Sequence, residues 1–287
     1  MPNPARLLAP LETLRESMHG RSLRLTPKLT RLYGHFRMPQ PAARQYVFSN
    51  FVSTLDGVVS LQARGHAGGG DISGFSVQDR MVMGLLRALA DVVIVGTGTL
   101  EADPHHVWTP DDICPQLADD YLSLTKALRK PAAPLNVIVS GSGEINLRLP
   151  LFTGGRVQTL VITTAAGAKR LLAGKPPRGL KVQAIPHYRG LIPPPAILDA
   201  VRRVNAGQRI LVEGGPQLLG EFYAHGLVDE QFLTLAPQIA GRAYGDARLS
   251  LVMGQAFPPG HTRWGTLIDV RRGGSHLFLR YKLRGRR

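Results

Sequence analysis

Cysteine is nearly absent from the sequence, since Cys114 is the single thiol among 287 residues. One cysteine excludes an internal disulfide and any metal site made of cysteines alone. The sequence also lacks a run of the ~18 to 20 apolar residues that a membrane-spanning helix requires, and it shows no signal peptide. We therefore expect a cytoplasmic protein with no membrane partner.

Acidic residues are scarce relative to basic ones, with 20 Asp and Glu against 35 Lys and Arg and a formal net charge of +15. Such a balance favours anionic partners, either phosphorylated small molecules or nucleic acid. The sequence contains no basic recognition helix, zinc knuckle or aromatic ribonucleoprotein motif, and basic residues cluster only at Arg284, Arg286 and Arg287. We expect a phosphorylated small-molecule partner rather than nucleic acid. A non-catalytic nucleotide- or nucleic-acid-binding protein remains an alternative.

Patterns that bind metals are missing as well. His105 and His106 are adjacent, and no nearby set of cysteine, histidine or carboxylate ligands accompanies them. We therefore expect no metal. Trp108 is interpreted as a residue that packs a loop, and Cys114 as an inert thiol without a histidine partner.

The first 42 residues differ from the rest of the chain, because they are rich in proline and contain no run typical of a strand. The spacing of Leu11, Leu14 and Met18 predicts a short helix within residues 9–18, with these side chains on one face. We interpret residues 1–42 as an N-terminal extension that wraps the body or a partner subunit, and residues 43–287 as one domain.

From Tyr46 onward, apolar strands alternate with segments of helical spacing. The predicted strands are Tyr46–Ser53, Asp91–Val95, Leu135–Ser140, Val157–Thr163, Leu180–Ile185, Arg209–Val212, Phe232–Ala236, Trp264–Val270 and Leu277–Lys282. The predicted helices are Ser76–Leu89, Ala165–Ala173, Ala196–Asn205 and Pro216–His225. This alternation indicates an α/β fold with a mainly parallel sheet covered by helices on both faces, and the late strands indicate antiparallel additions at one edge.

Two glycine loops follow predicted strands, at the edge where ligands bind in parallel α/β sheets. In Gly96–Thr99 and in Gly214–Gly215, the missing side chains let backbone N–H groups approach a phosphate. The second loop opens a helix at Pro216, a position that tolerates proline. Either loop alone is also compatible with a tight turn between a strand and a helix.

Two acidic residues accompany these loops. Glu213 directly precedes the second one, where a carboxylate suits a substrate better than a phosphate. Asp56 lies in the turn Thr54–Gly57 after the first predicted strand and is a candidate acid or substrate anchor. The alternatives are a hydrogen-bonded loop glutamate and an Asp-Gly turn without function.

A set of short motifs occurs in a fixed order along the chain. These motifs are Ser53–Gly57, Ile72–Gly74, Leu86–Asp91, Gly96–Thr99 with Ala102–Pro104, Val212–Pro216, and Gly226–Glu230 with Leu235–Pro237 and Gly241. Over residues 45 to 285 the set resembles the reductase family of riboflavin biosynthesis. The resemblance implies the dihydrofolate-reductase-like fold, a homodimer and NADPH as cofactor. It also implies reduction of the ribosyl side chain of 5-amino-6-(5-phosphoribosylamino)uracil to a ribityl chain.

The resemblance also implies roles for individual residues. Asp56 and Glu213 are implied as catalytic residues that position the ribose or assist proton movement. The implied cofactor contacts are Gly96, Thr97, Gly98, Thr99, Gly214, Gly215 and Pro216, with Ser140 and Thr163 as candidates for the adenosine ribose and its 2′-phosphate. The implied substrate contacts are Asn50, Ser73, Arg80, Arg87 and Asp103.

The chain departs from the family pattern on the substrate side. Asn50 stands where a lysine is usual, and Gly84 stands where a histidine is frequent. After Asp103–Pro104, the pair His105–His106 replaces an arginine that helps to hold the substrate phosphate, and histidine carries a weaker charge at neutral pH. These differences keep open a reductase of the same fold that acts on another imine, pterin or carbonyl substrate.

Overall fold

The structure is a computed structural model, and it describes residues 8–40, 44–174, 176–188, 190–246 and 248–283. The strands are β1 Glu12–Arg15, β2 Arg21–Ser22, β3 Arg37–Met38, β4 Tyr46–Ser53, β5 Val58–Ser60, β6 Val92–Gly96, β7 Leu135–Ser140, β8 Thr159–Thr163, β9 Lys181–Ala184, β10 Arg209–Val212, β11 Glu230–Leu235, β12 Leu249–Ser250, β13 Gly265–Gly273 and β14 His276–Leu283. The helices are α1 Pro27–Tyr33, α2 Gly69–Ser73, α3 Val77–Leu89, α4 Thr97–Ala102, α5 Pro110–Ile113, α6 Ala118–Ala127, α7 Pro150–Thr153, α8 Ala165–Ala173, α9 Pro194–Val204 and α10 Pro216–Ala224. The basic cluster Arg284, Arg286 and Arg287 lies outside the described residues.

Ten strands form one sheet in the order β1-β13-β14-β11-β4-β10-β6-β7-β8-β9. The strands from β11 to β9 in this order run parallel to one another. Strands β14, β13 and β1 add antiparallel pairs at one edge. This arrangement confirms the predicted mainly parallel mixed sheet with antiparallel C-terminal strands.

Successive residues of β6 alternate between two hydrophobic cores on opposite faces of the sheet, as the two-residue period of a strand requires. Val93 and Val95 belong to the core that contains Leu85 of α3. Val92 and Ile94 belong to the core that contains the apolar residues of α9 and α10. Helices therefore cover both faces, and the loops that follow the parallel strands meet at one edge of the sheet.

The predicted helix within residues 9–18 is wrong, and so is the expectation that this segment contains no strand. Residues 12–15 form the edge strand β1, which pairs with β13. Leu14 and Met18 are 52% and 75% exposed, so the three apolar residues form no buried face. An open sheet edge offers backbone hydrogen bonds, and a short amphipathic stripe on an isolated helix cannot match them.

Two buried arginines of the C-terminal strands hold the N-terminal segment. Arg271 donates to the carbonyl of His35 at 2.9 Å, and Arg280 donates to the carbonyl of Arg37 at 2.7 Å. Each of these arginines is also paired with a buried carboxylate. The described part of residues 1–42 therefore packs against the body of the same chain, while the division of the chain at residue 42 stays a prediction.

Gly84 allows helix α6 to approach helix α3 closely. A Cβ at position 84 would lie 2.6 Å from the Tyr121 ring, and the Tyr121 hydroxyl donates to the carbonyl of Met81 at 2.9 Å. Tyr121 thus fills the space into which a larger residue at position 84 would extend. This packing accounts for glycine at a position where the related family often has histidine.

We expect Gly84→Ala to lower the free energy of unfolding by about 1–3 kcal/mol, because the methyl group overpacks the contact with Tyr121. Alanine has the higher helix propensity, so backbone effects alone predict the opposite sign. Urea unfolding followed by circular dichroism measures the change. Gly98→Ala, whose Cβ meets no atom within 4 Å, is the control, and a Gly84→Ala variant as stable as wild type would contradict the packing argument.

Candidate active site

One cavity of about 1030 Å³ opens at the carboxyl edge of the parallel strands. Its walls come from the ends of β4 and β6, from the loop after β10, and from α2, α3, α4 and the start of α10. Pockets for a single small ligand usually measure about 300–1,000 Å³. The cavity is therefore at the upper end of this range.

The described residues offer neither a membrane helix nor a metal site. None of their helices combines the length and the apolar character needed to cross a bilayer. They also contain no group of three or more His, Cys, Asp or Glu side chains placed to hold a metal ion.

The two glycine loops touch each other and line one side of the cavity. A Cβ at Gly214 would lie 2.6 Å from Thr99 Oγ1, so glycine is required for this close packing. A Cβ at Gly96 or Gly98 would meet no atom within 4 Å, because both positions face open space. Gly215 precedes α10 with a φ of 73°, which favours glycine, and no side chain caps the first backbone N–H groups of the helix. Of the predicted cofactor contacts, the lining contains Gly96, Thr97, Gly98, Thr99, Gly215 and Pro216.

Ser140 and Thr163 do not belong to the cavity lining, and their predicted contacts with a ribose and its 2′-phosphate stay a prediction. Their exposed fractions are 1% and 0%. Ser140 Oγ accepts from the backbone N–H of Gly143 at 3.0 Å, and Thr163 lies against Gly167 of α8. Both side chains therefore point beneath the following loop and helix. The lining on this side comes from Gly141, Gly190 and Leu191.

Glu213 lies in the cavity wall as one half of a buried ion pair. Arg87 Nε donates to Glu213 Oε2 at 2.8 Å, and the two side chains are 1% and 3% exposed. Asn50 Nδ2 donates to Glu213 Oε1 at 3.4 Å. The fold thus brings together three predicted site residues from β4, α3 and the loop after β10. The pairing explains how a carboxylate is tolerated beside loops suited to phosphates.

His106 is a neutral partner of Arg87 and does not supply a cation for a phosphate. Its Nε2 accepts a hydrogen bond from Arg87 Nη1 at 2.7 Å, since a guanidinium has no acceptor atom. Burial, followed by the charges of Arg87 and Arg80, lowers the pKa of His106 to about 2. His106 Nδ1 lies 3.3 Å from Asp112 Oδ2. His105 is exposed and lies outside the cavity lining, whereas His106 lines the cavity.

Trp108 and Cys114 are buried residues that stabilise the loop around His106. Trp108 is 3% exposed, and its ring packs edge-on against His106 with the ring centroids 5.1 Å apart. Cys114 is 1% exposed, and burial raises the pKa of its thiol. A buried thiol with a raised pKa is a poor nucleophile at neutral pH.

Asp56 does not belong to the cavity lining, contrary to its predicted catalytic position. Its carboxylate accepts from Thr54 Oγ1 at 2.6 Å and from the backbone N–H groups of Ala240 at 3.1 Å and Gly241 at 2.6 Å. These hydrogen bonds, that of Thr54 first, lower the pKa of Asp56 to about 2. The group is therefore ionised at neutral pH and connects the turn after β4 to the loop after β11.

Ser73, Arg80 and Asp103 line the same cavity as Glu213. The Arg80 guanidinium lies over the Phe75 ring, 5.7 Å from its centroid. Of the two arginines in the described lining, Arg87 is paired with Glu213, whereas Arg80 has no carboxylate within ion-pair distance. Arg80 is therefore the guanidinium that is available to an anionic group of a ligand.

Asp79 lines the cavity as well, and no sequence pattern singles it out as a site residue. The spacing Ser76-x-x-Asp79 is that of a helix N-terminus, and Ser76 Oγ accepts from the backbone N–H of Asp79 at 3.3 Å. Because the capping pattern already explains an acidic residue at this position, it gives no reason to expect chemistry there. Only the tertiary structure shows that the side chain reaches the cavity.

A mainly parallel mixed sheet, with two touching glycine loops and a buried arginine–carboxylate pair around one large cavity, is the architecture of the dihydrofolate-reductase-like fold. The chain belongs to the RibD C-terminal domain family, whose family model matches residues 45–255.

Individual relatives agree with this membership. The 2,5-diamino-6-ribosylamino-4(3H)-pyrimidinone 5′-phosphate reductase of Archaeoglobus fulgidus is 28% identical over 203 residues, which are 69% of this chain and 83% of the relative. A pyrimidine reductase-like protein of Corynebacterium diphtheriae shares the fold with a TM-score of 0.64 and 21% identity, over 84% of this chain and 93% of that one. Acinetobacter baumannii RibD gives a TM-score of 0.60 and 20% identity, and the match spans 84% of this chain but 58% of that protein.

Proposed function

We propose that the chain is an NADPH-dependent reductase of riboflavin biosynthesis that converts the ribosyl side chain of a phosphorylated aminopyrimidine to a ribityl chain. The preferred substrate is 5-amino-6-(5-phosphoribosylamino)uracil. The observation that carries this proposal is the shared cavity that joins the glycine loops to the Glu213–Arg87 pair. The name of the Archaeoglobus fulgidus relative supports the substrate class.

The glycine loops fit a nicotinamide dinucleotide. Gly96 and Gly98 leave free the space that a Cβ would occupy, and α10 begins after Gly215 without a side-chain cap on its first backbone N–H groups. Backbone N–H groups at such a helix start would hold the pyrophosphate. The preference for NADPH over NADH rests on the family resemblance, and parallel titrations with both cofactors test it.

The residues on the other side of the cavity position the sugar. A bound reduced nicotinamide supplies a hydride, and the acceptor is C1′ of the ribosyl group once the ring has opened to an imine. Glu213, fixed by Arg87 and Asn50, presents carboxylate oxygens to the sugar hydroxyls. Since the pair is already formed and buried, binding requires little rearrangement, and C1′ is held in one orientation. Asp56 would act at a distance, by holding the two loops that it connects.

The direct test is the loss of NADPH absorbance when the purified protein is mixed with the ribosylaminopyrimidine phosphate. The 2,5-diamino pyrimidinone counterpart and dihydrofolate are alternative substrates in the same assay. We expect turnover with a ribosylaminopyrimidine phosphate and none with dihydrofolate. Turnover restricted to dihydrofolate would contradict the proposed substrate. Salt-sensitive binding to random DNA without NADPH binding would contradict the proposal that the chain is an NADPH-dependent enzyme.

Arg80 is proposed to bind the substrate phosphate, because its guanidinium lacks a carboxylate partner among the described residues of the cavity wall. Arg80→Gln is expected to raise the KM for the phosphorylated substrate by about 10- to 100-fold, as the loss of a charge-assisted hydrogen bond predicts. The effect on kcat should be smaller. Steady-state kinetics with the phosphorylated and dephosphorylated substrates measure both constants.

The control for this prediction is Arg64→Gln, the same change at an exposed arginine outside the cavity lining. This control should leave the KM unchanged. If Arg80→Gln raised the KM equally for the dephosphorylated substrate, Arg80 would not bind the phosphate.

The homodimer implied by the resemblance stays a proposal, and the exposed apolar side chains of Leu55, Ile239 and Trp264 support it.

A further inference from the structure

Asp79 is a second carboxyl group in the cavity wall, and the positioning chemistry described above leaves it unused. It lies in the first turn of α3 and is 5% exposed, yet it borders the same space as Glu213. The hydroxyls of Ser73 and Thr234 lie near its carboxyl group. Asp79 therefore borders the space that a ligand beside Glu213 would occupy.

The two carboxyl groups have different partners. Glu213 receives Arg87 Nε at 2.8 Å, whereas no basic side chain among the described residues lies within ion-pair distance of Asp79. The charged groups nearest to Asp79 are Glu213 after β10, His276 on β14, and its neighbour Arg80 on α3.

The surroundings of Asp79 favour its protonated form. Burial has the largest effect and raises the pKa of the carboxyl group, and the negative charge of Glu213 raises it further. His276 and the two hydroxyls act in the opposite direction. A carboxyl group with a raised pKa beside an arginine-paired carboxylate combines a candidate proton donor and an anion in one site.

The reduction of a ribosylamine requires one proton donor. As the sugar ring opens, the lone pair of the exocyclic nitrogen forms a double bond to C1′, and the C1′–O4′ bond breaks. The electron pair of that bond remains on O4′, which must take up a proton. A hydride from the reduced nicotinamide then adds to C1′, and the electron pair of the C=N bond returns to nitrogen. One proton and one hydride are consumed, and the nicotinamide is oxidised.

We propose that Asp79 is the catalytic acid that protonates O4′ as the ring opens, a role that rests on the proposed function. The carboxyl O–H bond breaks as the O4′–H bond forms, and the resulting carboxylate recovers a proton from water after the product leaves. Glu213 lies in the same cavity and places negative charge near the cation that develops on C1′ and nitrogen.

Three other titratable groups near the cavity do not fit this role. Asp56 lies outside the lining, and its pKa is lowered to about 2 by the hydroxyl of Thr54 and by backbone N–H groups. His106 is engaged at Nε2 by Arg87, and its pKa is also about 2. The Asp103 side chain is 60% exposed and is open to exchange with water.

The variant that tests this role is Asp79→Asn, which keeps the volume and an acceptor oxygen but has no acidic proton. We expect kcat to fall by about 10²- to 10⁴-fold, while the Kd for NADPH changes by less than about twofold. Asp119→Asn is the matched control, since Asp119 occupies the first turn of α6 and lies outside the cavity lining. Asp119→Asn should keep the wild-type kcat and the wild-type Kd for NADPH.

Infrared spectroscopy adds a readout that is independent of turnover. At neutral pH, wild type should show the C=O stretch of a protonated carboxyl group that Asp79→Asn lacks. An ionised Asp79 at neutral pH, or a near-normal kcat in the variant, would overturn the proposal. If Asp79→Asn lost both NADPH binding and activity, the proposal would be overturned as well, because Asp79 would then maintain the structure of the site rather than transfer a proton. If wild type binds NADPH but does not reduce the ribosylaminopyrimidine, the proposed function fails, and the ring-opening role falls with it.

Discussion

Gly98→Asp is expected to bind NADPH at least about 100-fold more weakly than wild type, because it places a negative charge beside the cofactor phosphates. Gly98 lies in the first turn of α4 and lines the cavity, and a Cβ added there would meet no atom within 4 Å. Two like charges about 4 Å apart repel by about 4 kcal/mol at an effective dielectric constant of 20, which is close to 1,000-fold in Kd. Screening at the open mouth of the cavity reduces this figure. Calorimetric titration measures the difference.

Gly98→Asn is the matched control, since it adds the same shape without the charge. It should keep the Kd within about fivefold of wild type, because only the electrostatic repulsion is removed. An aspartate in the first turn of a helix is itself favourable, so thermal unfolding should show that Gly98→Asp remains folded. Gly215 is the poorer position for this test, because its φ of 73° strains any other residue. Equal affinities of Gly98→Asp and wild type would contradict the assignment of this loop to phosphates.

Arg87→Leu is expected to lower the free energy of unfolding by about 3–5 kcal/mol, because it leaves a buried carboxylate without its charged partner. The Glu213 side chain is 3% exposed, and after the substitution Asn50 is the one donor left to it among the residues that the structure describes. His106 also loses the donor to its Nε2. Urea unfolding of both proteins gives the difference by linear extrapolation.

Two comparisons separate the ion pair from the general loss of an arginine. In Arg87→Leu combined with Glu213→Gln, no charge is left unpaired, so a large part of the lost stability should return. Arg202→Leu removes the partner of Asp199 from an exposed pair with a 2.8 Å contact, and it should cost less than about 1 kcal/mol. Similar small losses for Arg87→Leu and Arg202→Leu would contradict a pair that is isolated from water.

The parallel strands are the part of the fold that the sequence predicts best. Tyr46–Ser53 and Leu135–Ser140 have the predicted bounds in the structure, because a strand buried on both faces must be apolar along its length. The edge strand β1 cannot be recognised from its own four residues, which are all exposed. Its conformation is decided by pairing with β13, more than 250 positions along the chain.

The candidate site also has a part that the sequence predicts and a part that it does not. The glycine loops are predictable from the sequence, because glycine is favoured where the backbone must come close to another group. The direction of a side chain depends on the tertiary structure. The sequence therefore places Ser140 and Thr163 at strand ends, but it does not show that their side chains point beneath the following loop and helix. The pairing of Arg87 with Glu213 joins positions 126 residues apart, and no local pattern encodes it.

The most direct test of the proposed reaction follows a label from the cofactor to the sugar. NADPH carrying deuterium at C4 of the nicotinamide, prepared separately on each face, is incubated with the protein and the ribosylaminopyrimidine phosphate. The proposed function predicts that one of the two preparations yields a product with a single deuterium at C1′ of a ribityl chain, as seen by mass spectrometry and NMR. A protein that binds NADPH but transfers no deuterium to C1′ from either preparation would contradict it.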